Sequence, residues 1–174
     1  RGTAEHFGLE DPVDLIMGTY SKSLAAIGGF VAGSREVIDF IKHVGRSMIF
    51  SASLPPSFVA SVSTALDIIE EQPQLRTQLW KNTHKMLEGY KELGYDTGAS
   101  ETPIVPIIIK DNIKVYEMCK LLFEHGVFVN PVVSPAVPPG RELLRTSYMA
   151  THTEEQLDKV LAAFEKVGKQ LGLI

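Results

Sequence analysis

Apolar positions in this chain fall into two patterns: short continuous runs, and longer stretches repeating at helical spacing. Residues 13–17, Val-Asp-Leu-Ile-Met, end at Gly18 and predict a buried strand; residues 29–33, Gly-Phe-Val-Ala-Gly, predict a second. Between them residues 18–23, Gly-Thr-Tyr-Ser-Lys-Ser, read as a loop of small and hydroxyl side chains. Ser34 stands where an N-cap belongs, because Val37, Ile38, Ile41 and Val44 recur behind it with a helical period. Met48-Ile49-Phe50 is another short apolar stretch, followed by Ser51-Ala52-Ser53. Pro55 and Pro56 suit the first turn of a helix whose stripe is Phe58, Val62, Leu66 and Ile69. Pro73 ends that helix or opens the next, which carries Leu75, Leu79, Met86, Tyr90 and Leu93 and stops at Gly94.

The pattern then changes. Residues 104–109, Ile-Val-Pro-Ile-Ile-Ile, predict a strand, with Pro106 placing it at a sheet edge. Val115, Cys119, Leu122 and Phe123 share a helical face over residues 113–125, closed by Gly126. A proline-rich stretch from Pro131 to Gly140 leads into a strand-like run over residues 143–149. Thr153 and Gln156 fit a capping box for a last helix containing Leu157, Val160, Leu161, Phe164, Val167 and Leu171. The class is α/β with no internal repeat, and a boundary is expected near residue 95. Residues 1–95 read as the end of a larger α/β domain with connecting helices, and residues 96–174 as a small α/β domain.

Composition narrows the chemistry. The 174 residues are 44% hydrophobic and 22% charged, which excludes disorder and small disulfide scaffolds. Seventeen Lys plus Arg against 21 Asp plus Glu give a net charge of −4, with no footprint for nucleic acid or an anionic membrane. The one cysteine, Cys119, has no partner for a disulfide or a metal pair, and a reducing cytoplasm is the default compartment. No run approaches the roughly 18 apolar residues of a membrane span. The chain opens Arg1-Gly2-Thr3-Ala4 without methionine, and it is read here as a piece of a longer protein.

Lys22 follows a strand and stands between serines, close to Thr19. A phosphate-binding P-loop fails on spacing, because Ser21 and Ile16 occupy the two positions where that motif needs glycine. Two readings of Lys22 remain open: a solvated loop lysine, or an amine that forms a Schiff base and needs partial desolvation at a strand end. If the aldehyde is pyridoxal phosphate, Thr19 and Ser21 supply hydroxyl donors, and Gly28 and Gly29 allow close backbone approach.

Residues 13–33 as a whole, Val-Asp-Leu-Ile-Met-Gly-Thr-Tyr-Ser-Lys-Ser-Leu-Ala-Ala-Ile-Gly-Gly-Phe-Val-Ala-Gly, resemble the cofactor-lysine segment of the α-oxoamine synthases. These are pyridoxal-phosphate enzymes of the aspartate-aminotransferase fold type. Residues 50–56, Phe-Ser-Ala-Ser-Leu-Pro-Pro, and 144–153, Leu-Arg-Thr-Ser-Tyr-Met-Ala-Thr-His-Thr, match in the family's order. The resemblance implies that residues 1–95 end the pyridoxal-phosphate-binding large domain. It further implies that Lys22 holds the cofactor and acts as general base, and that Thr19 and Ser21 bind its phosphate. Ser51 would reach the phosphate of a neighbouring subunit in a homodimer with shared active sites, and Arg145 would bind the carboxylate of an amino-acid substrate.

The implied reaction is decarboxylative condensation of an amino acid with an acyl-CoA. Ser-Lys-Ser-Leu followed by Gly-Gly-Phe, together with residues 129–135, is most similar to the family's sphingolipid-forming members, which use serine and palmitoyl-CoA. Members using glycine or alanine with a shorter acyl-CoA are the alternative. Val132 and Val133 stand where some members have an arginine before paired prolines. The family's pyridine-pairing aspartate and ring-stacking histidine belong to upstream segments, so this chain by itself is expected to be inactive, and a folded dimer-packing segment without cofactor is the competing role. An amphiphilic acyl product leaves peripheral membrane contact open.

The other residues have simpler readings. Ser51 and Ser53 are alternative caps for the helix near Pro55. Arg145 has a surface ion pair as its alternative. His152 reads as structural, Cys119 as a small buried hydrophobe, Trp80 as packing and His6 as solvated.

Overall fold

A computed structural model describes residues 2–174; Arg1, the first residue of the opening read above, lies outside the described residues. The chain divides into two compact units, residues 1–72 and 73–174.

The first unit begins with a helical turn, α1 (Thr3–His6), which the apolar pattern does not signal. Strands β1 (Leu15–Thr19) and β2 (Gly29–Gly33) then pair antiparallel, in register from Leu15 opposite Gly33 to Thr19 opposite Gly29. The first strand is thus shifted two residues along from its apolar run, leaving out Val13 and Asp14 and taking in Gly18 and Thr19, and it is largely exposed where the apolar run predicted burial. The Ser34 hydroxyl accepts the Val37 N–H and caps α2 (Arg35–Val44), as its position implied. Met48 and Ile49 belong to a short helix, α3 (Arg46–Ile49), and α4 (Pro56–Glu71) follows Pro55. In this unit the buried hydrophobic residues are Ala26 and Val62.

The second unit holds the main core. It opens with α5 (Pro73–Glu92), continues through β3 (Ile104–Ile108), α6 (Asn112–Glu124), β4 (Asn130–Val132) and β5 (Leu143–Ser147), and ends in α7 (Glu154–Gln170). The sheet is antiparallel in the order β3-β5-β4, so Pro106 does lie on an edge strand. On that edge the Ile108 N–H donates to the Asp96 carbonyl and the Ile104 N–H to Thr102 Oγ1. Val105, Ile107 and Leu144 are fully buried on one sheet face, packed with Met86 of α5, Met118 of α6 and Phe164 of α7. Thr153 and Gln156 form the capping box of α7.

The boundary expected near residue 95 differs from the division at Gln72 and Pro73. Helix α5 joins the second unit because Met86 and Tyr90, both fully buried, complete its core.

A row of hydroxyls ties α5 to the central strand. The Tyr148 hydroxyl is 2.8 Å from that of Tyr90 and 2.9 Å from Thr146 Oγ1, which lies 2.7 Å from the Val105 carbonyl. Each hydroxyl has one proton and the carbonyl can only accept. The donors therefore run from Tyr90 to Tyr148 to Thr146 to the carbonyl. Burial pushes Tyr148 up to about 12 and Tyr90 well above its ordinary value, so both keep their protons. Among the described residues no helix is long and apolar enough to cross a membrane.

Candidate functional site

The candidate groups fall in both units. In the first, the segment between β1 and β2 folds back tightly. The Tyr20 N–H donates to the Gly28 carbonyl, the Ala26 N–H to the Tyr20 carbonyl, and the Ala25 N–H to the Lys22 carbonyl. Ala25 has φ 50°, a left-handed conformation that costs an alanine about 1 kcal/mol and is held by these bonds. Thr19 Oγ1 and Ser21 Oγ are 2.8 Å apart, and Thr19 Oγ1 also accepts the Ser21 N–H at 3.3 Å. The turn thus brings together the two hydroxyls expected to act in concert.

The glycines permit that approach. A Cβ on Gly29 would stand 2.5 Å from the Gly18 carbonyl oxygen, and one on Gly28, at φ 98°, would stand 2.6 Å from Leu54 Cδ2. The obstruction at Gly29 is backbone on the paired strand, so it cannot move without opening the ladder. Gly29→Ala is expected to destabilise the hairpin by about 1–3 kcal/mol. Faster amide exchange at Gly18 and Phe30, the bonded pair next along the ladder from Tyr20 and Gly28, would register this; unchanged exchange would show that the backbone has room.

Thr19, Gly28 and Gly29 line a cavity of about 680 Å³, together with Phe30, Lys42 and Met48. Lys22 is not among its lining residues, and its side chain is exposed. The desolvation expected for a strand-end lysine is therefore absent from this unit. Strand β1 ends at Thr19, and Lys22 stands on the outside of the following turn. Ser51 is also exposed; its hydroxyl donates to the Ser47 carbonyl one helical turn back, and Ser47 itself lines the cavity. Ser51 and Ser53 do not cap α4, whose N-cap is Pro55 with no side-chain bond.

In the second unit Arg145 lies at the middle of β5, paired with Pro106 on one side and Asn130 on the other. Its neighbours Leu144 and Thr146 point into the core, so alternation turns Arg145 to the open face. No ion pair or hydrogen bond of its side chain occurs among the described residues. It lines a cleft of about 570 Å³ whose other polar walls include Asn130, Ser147, His152 and Lys159, and no carboxylate lines it. His152 and Asn130 are additions to the site. His152 was read as structural because it precedes a capping threonine, and only the turn after β5 reveals that its ring reaches this cleft.

Among the described residues no group of three or more His, Cys, Asp or Glu could hold a metal ion. Cys119 is half-buried, its thiol near the Val129 carbonyl at 3.4 Å and pushed up by burial.

Comparison with known proteins sets these features in context. The family model for aminotransferase class I and II matches residues 2–164. A serine palmitoyltransferase of Sphingobacterium spiritivorum is 54% identical over 169 residues, 97% of this chain and 42% of that protein. An 8-amino-7-oxononanoate synthase of Thermoanaerobacter pseudethanolicus is 47% identical over 174 residues, 100% of this chain and 44% of that protein. Among solved structures, a serine palmitoyltransferase of Sphingomonas wittichii superposes with a TM-score of 0.95 at 35% identity, covering 100% of this chain and 44% of its own. Another, described as SPT with its PLP internal aldimine, gives the same values. The chain spans less than half the length of these relatives.

Proposed function

Because the chain belongs to the aminotransferase class I and II family, we propose that it is the pyridoxal-phosphate-binding and C-terminal part of an α-oxoamine synthase. The proposed reaction condenses L-serine with palmitoyl-CoA, releasing CoA and carbon dioxide and giving a 3-oxo amine, the opening step of sphingolipid synthesis. The observation that carries this is the β1–β2 turn. Two hydroxyls 2.8 Å apart adjoin glycines whose missing Cβ atoms leave backbone open, a cradle suited to a phosphate.

Pyridoxal phosphate, when bound, supplies an aldehyde and a ring able to accept the electrons of a broken Cα–H bond. The chain's own residues do the rest. Lys22 Nζ is the amine that holds the aldehyde and later takes the Cα proton. Thr19 and Ser21 donate hydroxyl hydrogens to the phosphate. Ser51 serves the phosphate of the partner subunit in a homodimer. On β5, Arg145 offers a planar pair of donors to the substrate carboxylate.

A second reading within the same chemistry has a specific support, the 47% identity to an 8-amino-7-oxononanoate synthase. It differs in substrates, with glycine or alanine and a shorter acyl-CoA in place of serine and palmitoyl-CoA. CoA release by the full-length protein, measured with a thiol reagent across these pairs, separates the two. The serine and palmitoyl-CoA pair is expected to win, and the failure of every pair to release CoA overturns both. In the same assay Arg145→Ala is expected to raise KM for the amino acid by about 10–100-fold, the worth of a charge-assisted pair.

A further inference from the structure

The His152 ring is oriented by two contacts, and its backbone is held by a third. Its Nδ1 accepts the Met149 N–H at 3.2 Å, and its ring meets Tyr148 edge-on with centroids 6.4 Å apart. Behind it, Asn82 is 1% exposed and donates from Nδ2 to the Met149 and His152 carbonyls at 2.9 and 3.1 Å. Asn82 Oδ1 in turn accepts from Gln78 Nε2 at 2.8 Å, so its amide orientation is fixed as well. An imidazole nitrogen that accepts a backbone N–H cannot carry a proton, which places the proton of the neutral ring on Nε2.

That Nε2–H has no partner among the described residues, yet His152 lines the cleft that contains Arg145. The charged groups lining this cleft are Arg145 and Lys159, both cationic. A fixed, unspent donor lining the same cleft as an unpaired guanidinium is what an anionic ligand requires.

We propose that His152 is a substrate-binding residue, its Nε2–H donating to the carboxylate that Arg145 holds. This rests on the proposed role of Arg145 and extends it to a second residue. Lys159, on the second turn of α7, adds a further positive charge to the cleft and forms no ion pair among the described residues.

Two variants separate this role from a purely structural one. His152→Asn presents an amide oxygen near the Nδ1 position, keeping the bond to the Met149 N–H while removing the distal donor. His152→Gln does the reverse, reaching the Nε2 position with an N–H while losing the proximal acceptor. Calorimetric Kd values for L-serine on the full-length holoenzyme, with ethanolamine as the same molecule lacking the carboxylate, provide the reading.

The expected result is a roughly 10-fold or greater weakening of serine binding in His152→Asn. His152→Gln should stay within about threefold of the parent, and ethanolamine binding should be unchanged in both. An unaltered serine Kd in His152→Asn overturns the proposal, as does a loss confined to His152→Gln or one shared equally by ethanolamine. Arg145→Ala in parallel tells the two readings apart. If it weakens serine binding while His152→Asn does not, only the role of His152 falls; the converse leaves His152 in place and removes Arg145.

Discussion

With Lys22 replaced by alanine, the protein is expected to lose the visible absorbance band that forms when pyridoxal phosphate is added. Lys42 provides the internal control, because it lines the cavity beside Thr19 whereas Lys22 does not. If Lys42 were the reactive amine, Lys42→Ala would lose the band and Lys22→Ala would keep it. The turn geometry favours Lys22: its carbonyl accepts the Ala25 N–H, which keeps it next to the two paired hydroxyls. In the full-length protein Lys22→Ala is also expected to lower turnover by at least about 1,000-fold, since covalent anchoring and proton removal disappear together. A full-length Lys22→Ala protein that retained the band would sink the enzyme reading as stated.

Phe164→Ala should be the most damaging of the core truncations. Phe164 is fully buried on α7, with its ring centroid 4.8 Å from that of Tyr90 and 5.8 Å from that of Tyr95. The Tyr95 hydroxyl also donates to the Phe164 carbonyl at 2.7 Å, so α5, the turn after it and α7 meet at this residue. Removing the ring is expected to cost about 3–5 kcal/mol, combining lost transfer energy with the cavity left behind. Urea unfolding followed through Trp80 fluorescence reports on this unit, because the chain's one tryptophan lies on α5 within it. A cost below about 1 kcal/mol would mean that the neighbouring rings collapse into the space.

The parts of the fold visible in the amino-acid order are those fixed by local chemistry. Ser34 and Thr153 cap the helices they precede, Gly94 stops α5 with φ 94°, and Pro106 sits on an edge. Each of these depends on a residue and its immediate neighbours. Strand β4 was not legible, because three residues including Pro131 have no periodicity and become a strand only by pairing with β5. The expected boundary near residue 95 and the division after Gln72 differ for a related reason: the stripe of α5 shows that it has an apolar face, not which core receives it.

The candidate site divides along the same line. Thr19 and Ser21 sit two residues apart, and their pairing follows from the turn they share. The cleft around Arg145 instead joins β4, β5, α7 and the turn after β5. No spacing in the chain announces that His152 faces the same space as Asn130. The exposure of Lys22 agrees with the solvated-loop reading that spacing left open, and it follows from the strand ending three residues before it.

Strand β3 leaves an approaching polypeptide little to bond with. Pro106 has no N–H, the Ile108 N–H is spent on Asp96, and the Ile104 N–H is turned to Thr102 Oγ1. The Ile104 carbonyl is likewise taken, by the Ser100 hydroxyl at 2.5 Å. Edge-to-edge recruitment, the ordinary route by which exposed sheets polymerise, is thereby blocked along this side by the chemistry of the backbone itself. Strand addition to this sheet is thereby disfavoured at β3 and directed towards its other edge, β4.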